Sequence, residues 1–299
     1  MAWNKNIIDT RIFNPVYPLT DITQPPPQPY SEGIVQDWIR EDQKETNQDY
    51  DLPSFVEKNE VVSLILLTRN RTKYFLETIE SLHTNTSHPF ELIVCDSDSR
   101  EPGKRESVMQ LLDDKLISSA ILTTGNNTGM GDIWNRGVSA SVGKYICTLN
   151  DDLFFEPGWL DEQVQCLKAF PEVGMINGSG LGYWHTQMQL DNVPYDWSWR
   201  TSIRDGHKIE IVTIIPGHQV LFSRELLDEI GKYKYELSWT SDMDLAVRAY
   251  ESGKYLALTN KPYVIHRYDL PKTWDEDGGH GASAHSYPLI FGNKIKDNI

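Results

Sequence analysis

Val61-Val62-Ser63-Leu64-Ile65-Leu66-Leu67, followed at once by Thr68-Arg69-Asn70, sets the reading of the chain. A nearly unbroken apolar run between polar neighbours makes a strand buried on both faces, as in the middle of a parallel sheet. Downstream, Phe75, Ile79 and Leu82 recur at helical spacing on one face. A second strand follows at Glu91 to Cys95, a helix near Ser107 to Leu112, and a strand at Ala120 to Leu122. A helix through Ile133, Gly137 and Ala140 leads to a fourth strand, Lys144 to Leu149. Strand and helix in alternation predict a mostly parallel sheet covered on both faces. Such sheets bind ligands beyond the carboxyl ends of their strands.

Those ends carry polar side chains in succession: Thr68-Arg69-Asn70, Asp96-Ser97-Asp98-Ser99, Asn126-Asn127-Thr128-Gly129 and Asn150-Asp151-Asp152. Any one of them is an ordinary turn. Four in a row mark an edge built for a polar ligand. The second half predicts a helix from Gly158 to Phe170, and residues 178–208 show no clear period. A strand pair, Ile209 to Ile215 and Gln219 to Phe222, brackets Pro216-Gly217-His218. Helices at Arg224 to Ile230 and through Asp244, Leu245 and Arg248 follow, the latter ending near Gly253. Strands at Tyr255 to Leu258 and Tyr263 to His266 close the domain.

The flanks differ in texture. Residues 1–60 hold Pro25, Pro26, Pro27 and Pro29 and an acidic run from Glu41 to Asp51, which reads as an extended arm with one short helix at Val35 to Arg40. Residues 61–270 form the domain, with a nucleotide-binding half at 61–152 and an acceptor half at 153–270. Residues 271–299, Gly- and His-rich, read as a flexible tail.

Composition narrows the function. With 39% hydrophobic residues the chain can bury a core. The formal charge of −15 repels phosphate backbones and weighs against nucleic acid as a partner. No apolar run is long enough to span a bilayer, and the N-terminus lacks a basic-then-apolar signal pattern. Three cysteines, Cys95, Cys147 and Cys166, with no zinc spacing, fit buried thiols in a reducing compartment, so a cytoplasmic location is expected.

Three clusters stand out for chemistry. Adjacent carboxylates in Asn150-Asp151-Asp152 tolerate each other when a divalent cation such as Mg²⁺ or Mn²⁺ sits beside them; a plain polar turn ahead of Pro157-Gly158 reads equally well. Asp242 in Ser241-Asp242-Met243-Asp244-Leu245 serves either as a helix N-cap or as a general base. His266, ending an apolar strand, is a surface or core residue or else the completion of a metal site.

The ordered set of motifs from Val61 to His266 resembles the GT-A glycosyltransferases of family 2, particularly their rhamnosyltransferase-like branch. The resemblance rests on Thr68-Arg69-Asn70, on Asp96-Ser97-Asp98-Ser99, and on the segment from Asn127-Thr128-Gly129 to Asn135-Arg136-Gly137. It continues through Gly143-Lys144-Tyr145-Ile146, Asn150-Asp151-Asp152, Pro157-Gly158-Trp159-Leu160, Pro171-Glu172-Val173-Gly174, Gly217 with Leu221-Phe222-Ser223-Arg224, and Ser241-Asp242-Met243-Asp244-Leu245 with Arg248. The resemblance implies an α/β, Rossmann-like GT-A fold and an inverting, metal-dependent transfer of sugar from a nucleotide-diphosphate donor, by default a UDP-sugar, to a saccharide hydroxyl. It places Thr68, Arg69 and Asp96 around base and ribose, with Asp96 accepting from the base imide. Asn127 and Asn135 would lie beside the nucleotide, Asp151 at ribose or sugar, and Gly217 where backbone approaches sugar or acceptor. Asp152 and His266 would ligate Mn²⁺ or Mg²⁺, and Asp242 would deprotonate the acceptor.

Three positions depart from the family pattern: Asn150 stands first in the Asp-x-Asp motif, Ser241 precedes Asp242 in place of Glu, and Arg267 follows His266. Two other readings stay open, a phage-type transferase acting on modified DNA bases and an inactive GT-A scaffold. The aromatic stretch from Tyr183-Trp184-His185 to Tyr195-Asp196-Trp197-Ser198-Trp199-Arg200 is either an acceptor platform or a packing lid.

Overall fold

The computed structural model describes residues 61–124, 130–180, 199–213, 215–234 and 241–267. The arm at 1–60, Asn127, the aromatic stretch from 181 to 198 and the tail from 268 onward lie outside the described residues.

The first half follows the predicted alternation. β1 (Val62–Thr68), α1 (Thr72–Asn85), β2 (Phe90–Asp96), α2 (Lys104–Asp113), β3 (Ser119–Leu122), α3 (Met130–Ala140) and β4 (Tyr145–Leu149) come in order. β5 (Leu153–Phe155), α4 (Trp159–Ala169), β6 (Val173–Asn177), β7 (Trp199–Arg204), β8 (His207–Val212) and β9 (Gln219–Ser223) follow. α5 (Arg224–Ile230), α6 (Ser241–Glu251), β10 (Tyr255–Thr259) and β11 (Val264–His266) complete the described chain.

Nine strands form one sheet in the order β3-β2-β1-β4-β9-β6-β10-β8-β7, and β11 pairs with β5 in a separate two-stranded sheet. β1 pairs in parallel with β2 and β4. Its side chains alternate: Val62, Leu64 and Leu66 join α1, α2 and α4 in one core, while Ile65 joins α3, α5 and α6 in the other. Helices on both faces explain why this strand has to be apolar along its length.

The second half departs from the expectation in its pairing. The strand pair bracketing Pro216-Gly217-His218 is not a hairpin. β9 inserts antiparallel between β4 and β6, whereas β8 pairs with β10 and β7. Insertion of β9 buries Val220, Leu221 and Phe222, which a hairpin at the sheet edge would leave half covered. The β7–β8 hairpin itself turns at Asp205-Gly206, both with positive φ (51° and 82°). An Asp-Gly pair with that backbone matches the right-handed twist of its strands.

α3 packs close on β1 through Gly137. A Cβ there would lie 2.2 Å from Ile65 Cγ2 and 3.0 Å from Cys95 Sγ. Alanine for glycine in an open helix gains about 1 kcal/mol. Gly137→Ala is expected to do the reverse and lower stability by about 1 to 3 kcal/mol, because the central strand cannot yield; the midpoint of urea unfolding reads the sign.

Candidate active site

The site is assembled around two adjacent buried carboxylates, Asp151 and Asp152, just past β4. Thr68, the last residue of β1, donates its hydroxyl to Asp151 Oδ2 at 2.6 Å. Arg71 bridges the pair: one guanidinium nitrogen donates to Asp152 Oδ2 at 3.0 Å and the other bonds Asp151 Oδ1. From the far end of the chain, His266 Nε2 lies 3.0 Å from Asp152 Oδ1. Burial pushes the Asp152 carboxyl up, but His266 and Arg71 outweigh it and hold it down at about 2. Asp151 goes the other way: burial and the neighbouring Asp152 raise it against the opposing charge of Arg71.

Arg71 reaches the pair because the chain leaves β1 through two left-handed residues, Asn70 (φ 53°) and Arg71 (φ 49°). Non-glycine residues adopt that backbone at a cost, and side-chain bonds hold it here. Asn70 N–H donates to Ser99 Oγ at 2.7 Å, and Asn70 Oδ1 accepts from the backbone N–H of Arg100 and Glu101. The turns after β1 and β2 thus lock each other. Arg69 is half-buried beside them.

Asp96, the last residue of β2, is fully buried. Its Oδ1 accepts from Ser99 N–H at 2.9 Å, while Oδ2 has no hydrogen-bond partner among the described residues. Lys104, also fully buried, stacks its ammonium 3.5 Å over the Phe75 ring. Burial pulls its pKa down to about 8 against the charges of Asp151 and Asp96, which favour the ammonium.

Asp242 does not take the N-cap position. It lies in the first turn of α6, its Oδ1 accepting from Met243 N–H at 2.8 Å. Desolvation raises its carboxyl to about 6. Gly217 makes room for it, since a Cβ on Gly217 would fall 1.6 Å from Asp242 Oδ2. Asp244, two residues on, binds Lys234 at 2.9 Å and Arg248 at 2.7 Å. Arg248 in turn donates to the carbonyls of Ile230, Gly231 and Lys232, closing the end of α5.

Asn135 has a bonding role inside the fold. Its amide donates to Tyr233 O at 2.7 Å and accepts from Tyr233 N–H at 3.0 Å, clasping α3 to the segment after α5. Tyr233 in turn sets its hydroxyl 3.1 Å from Thr148 Oγ1. His218, just before β9, is buried with Nε2 2.7 Å from Ser179 Oγ and its ring stacked on His266, centroids 4.7 Å apart. Burial, then the neighbouring His266, pulls its pKa well below the ordinary imidazole value.

Sequence reasoning missed Arg71 and Lys104. Nothing in their spacing marks them, but two adjacent carboxylates behind a buried strand demand a cation, and Arg71 is the charged residue that follows the first strand's polar turn.

The residues fit a divalent metal. Asp152 Oδ1 is buried without a well-aligned hydrogen bond. Its 3.0 Å separation from His266 Nε2 matches two neighbouring ligands of an octahedral ion with bonds of about 2.1 Å.

The chain matches the glycosyl transferase family 2 profile over residues 63–231, and it belongs to that family. The glucosyl-dolichyl phosphate glucuronosyltransferase of Haloferax volcanii is 23% identical over 220 residues, 69% of each chain. The mannosyltransferase of Pyrobaculum calidifontis, solved with GDP-Man and Mn²⁺, superposes with a TM-score of 0.51 at 18% identity. That match covers 67% of this chain and 57% of the mannosyltransferase. GalNAc-T7, solved with UDP, GalNAc and Mn²⁺, gives 0.56 at 13% identity, covering 71% of this chain and 45% of that one. The chain thus spans about half the length of these solved relatives. The shared architecture is the GT-A fold. Among the described residues no helix is long and apolar enough to cross a membrane.

Arg71→Met leaves two buried carboxylates facing each other. Removing one partner of a buried ionic cluster costs about 3 kcal/mol or more. Urea unfolding at pH 7 is expected to show that loss, and added Mn²⁺ to recover part of it by replacing the missing positive charge.

Proposed function

We propose that the chain is an inverting glycosyltransferase that moves a sugar from a nucleoside-diphosphate donor to an acceptor hydroxyl, with Asp242 as the base. The observation that carries this reading is the Asp242 carboxylate, raised to about 6 and seated where only a glycine at 217 leaves it space. A base with a pKa near the working pH is ionised and still basic enough to take a hydroxyl proton.

The donor half has the groups the reading needs. Asp96 Oδ2, lacking a partner, accepts the ring N–H of the base; uracil presents one, so a UDP-sugar is the first donor to test. Thr68, Arg69 and Asp151 border ribose and sugar, and the start of α3 flanks the nucleotide. Asp152 and His266 would hold Mn²⁺ or Mg²⁺, which when bound neutralises charge on the departing diphosphate. Arg71 keeps the acidic pair in place, and His218 keeps the His266 ring oriented by stacking. The acceptor hydroxyl gives its proton to Asp242 as its oxygen attacks the anomeric carbon opposite the leaving group. One base and no covalent intermediate suffice, so the configuration inverts. A saccharide acceptor and a cytoplasmic setting complete the proposal, with 61–270 as the catalytic domain and 1–60 and 271–299 outside it.

A panel of UDP-, dTDP-, GDP- and CMP-sugars, each with and without Mn²⁺, tests the donor. A ligand at 100 times its Kd raises stability by about 2.7 kcal/mol. A shift with one nucleotide class that needs Mn²⁺ supports the proposal. Absence of a shift with every donor would leave a scaffold as the better description.

For the wild type, the rate of transfer is expected to rise with pH through about 6 as Asp242 ionises. Asp242→Asn is expected to bind donor normally and to transfer nothing. The same variant tests the shift through stability. The folded carboxyl titrates at about 6 against an ordinary 3.8, so folding opposes its ionisation. That penalty is absent below about pH 4, grows as pH rises and is complete above about 6. Asp242→Asn should come close to wild type at pH 4 and exceed it by about 3 kcal/mol at pH 7. Equal stabilities at both pH values would contradict the desolvated base.

A further inference from the structure

Away from the strand-end carboxylates, three side chains of different chemistry converge on one point. Glu162 and Cys166 lie one turn apart on α4, which puts them on the same helix face. His207 is the first residue of β8, directly after the Asp205-Gly206 turn. Glu162 Oε1 lies 3.6 Å from Cys166 Sγ and 3.4 Å from His207 Nδ1, and all three ligand atoms fall within 4.8 Å of one another. Cys166 is fully buried, and the two partners are half-buried.

We propose that Glu162, Cys166 and His207 form a second metal site, selective for Zn²⁺ or a similar thiophilic divalent ion. The geometry supports it. A tetrahedral zinc with bonds of about 2.3 Å to sulfur and about 2.0 Å to nitrogen and oxygen sets S and O about 3.5 Å apart and N and O about 3.3 Å apart. The observed separations match both within about 0.1 Å. A charge-assisted N–H···O contact is shorter, about 2.7 to 2.9 Å, so Glu162 stands at ligand spacing from both Cys166 and His207, whose own separation is within 4.8 Å.

Thiolate, imidazole and carboxylate together favour zinc over magnesium or manganese, which prefer oxygen. Three protein ligands leave a fourth position to water. Binding transfers the Cys166 thiol proton to solvent, since the thiolate is the ligand. The elements are already fixed relative to each other. Arg204, at the end of β7, donates to Ala169 O at 3.0 Å and bonds Glu172 at 2.6 Å, tying the hairpin to the end of α4. The ion would add a second fastening between hairpin and helix, on residues that the transferase chemistry does not use.

The test uses the full chain, stripped of metal and titrated with Co²⁺ and Zn²⁺ in excess Mg²⁺. Wild type and Asp152→Asn are expected to bind one equivalent of Co²⁺ with a sulfur-to-cobalt charge-transfer band, displaced by Zn²⁺. Cys166→Ala and His207→Ala should lose the band, and Glu162→Gln should weaken Zn²⁺ binding at least about tenfold. In the Asp152→Asn background, Zn²⁺ should raise the thermal midpoint of the chain that keeps His207 but not of one that also carries His207→Ala. His207 is half-buried at a hairpin end, so that variant keeps the test decisive should Cys166→Ala fail to fold. Absence of a thiolate band in wild type, or unchanged Zn²⁺ binding in His207→Ala, overturns the proposal.

Discussion

Two carboxylates side by side in a buried position repel each other, and the structure around them is organised to contain that repulsion. Asp151 and Asp152 cannot both stay ionised away from water without opposite charge at contact distance. Thr68 and Arg71 supply a hydroxyl and a guanidinium from the end of β1, and His266 supplies an imidazole from β11. Lys104 adds a buried ammonium whose interaction with Asp151 and Asp96 opposes its own desolvation. The left-handed turn at Asn70 and Arg71 has its physical reason here, because it aims the guanidinium back at the next strand. A divalent cation is the natural further guest of such an arrangement, and the imidazole is already at ligand spacing.

Opposite this acidic pair the chain faces a different requirement, a carboxylate whose charge is left partly unsatisfied. Asp242 has no cation bonded to it among the described residues, and desolvation leaves it a much weaker acid than Asp152. One domain therefore holds two acids of very different strength, one beside a guanidinium and an imidazole and the other, among the described residues, beside a backbone N–H and a glycine. The reversed strand β9 makes this possible. It enters the sheet from the same edge at which β4 leaves it, so Gly217 and His218 arrive beside residues from the first half. The backbone bond from Asn150 N–H to His218 O, 2.9 Å, fixes that meeting point.

The first half of the fold was legible because its strands are buried on both faces and so are mostly apolar, the exceptions Ser63 and Glu91 being bonded to each other. β1, β2 and β4 announce themselves as unbroken runs, and α1 shows its buried face at Phe75, Ile79 and Leu82. The elements that escaped are β5, the interior strand β6 and the edge strand β7. β5 has three residues, too few for a period, whereas β11, which pairs with it, falls within the strand expected at Tyr263 to His266. β7, Trp199–Arg204, is an edge strand whose Arg, Thr and Ser carry no apolar pattern. Its one local signal is the Asp205-Gly206 turn that follows. The partners of β9 were hidden for another reason: pairing across the sheet depends on which side of the barrier of β4 and β6 the chain passes, and neighbouring residues do not encode that. In the site, Thr68, Asp96, Asp151, Asp152, Asp242 and His266 were legible because turns after buried strands and the family pattern single them out. Arg71 and Lys104 were not, because their importance comes from charge balance in three dimensions.

The pairing of β11 with β5 sets an order of events during synthesis. β1 through β4 and the acidic pair leave the ribosome long before residue 266 does. Until β11 docks against Leu153–Phe155, Asp152 has the guanidinium of Arg71 but no imidazole, and Arg267 cannot reach Glu77 on α1, its partner at 2.5 Å. A nascent chain stopped short of that strand lacks the imidazole beside Asp152. The surroundings of the acidic pair are therefore complete only once the residues of β11 have been made.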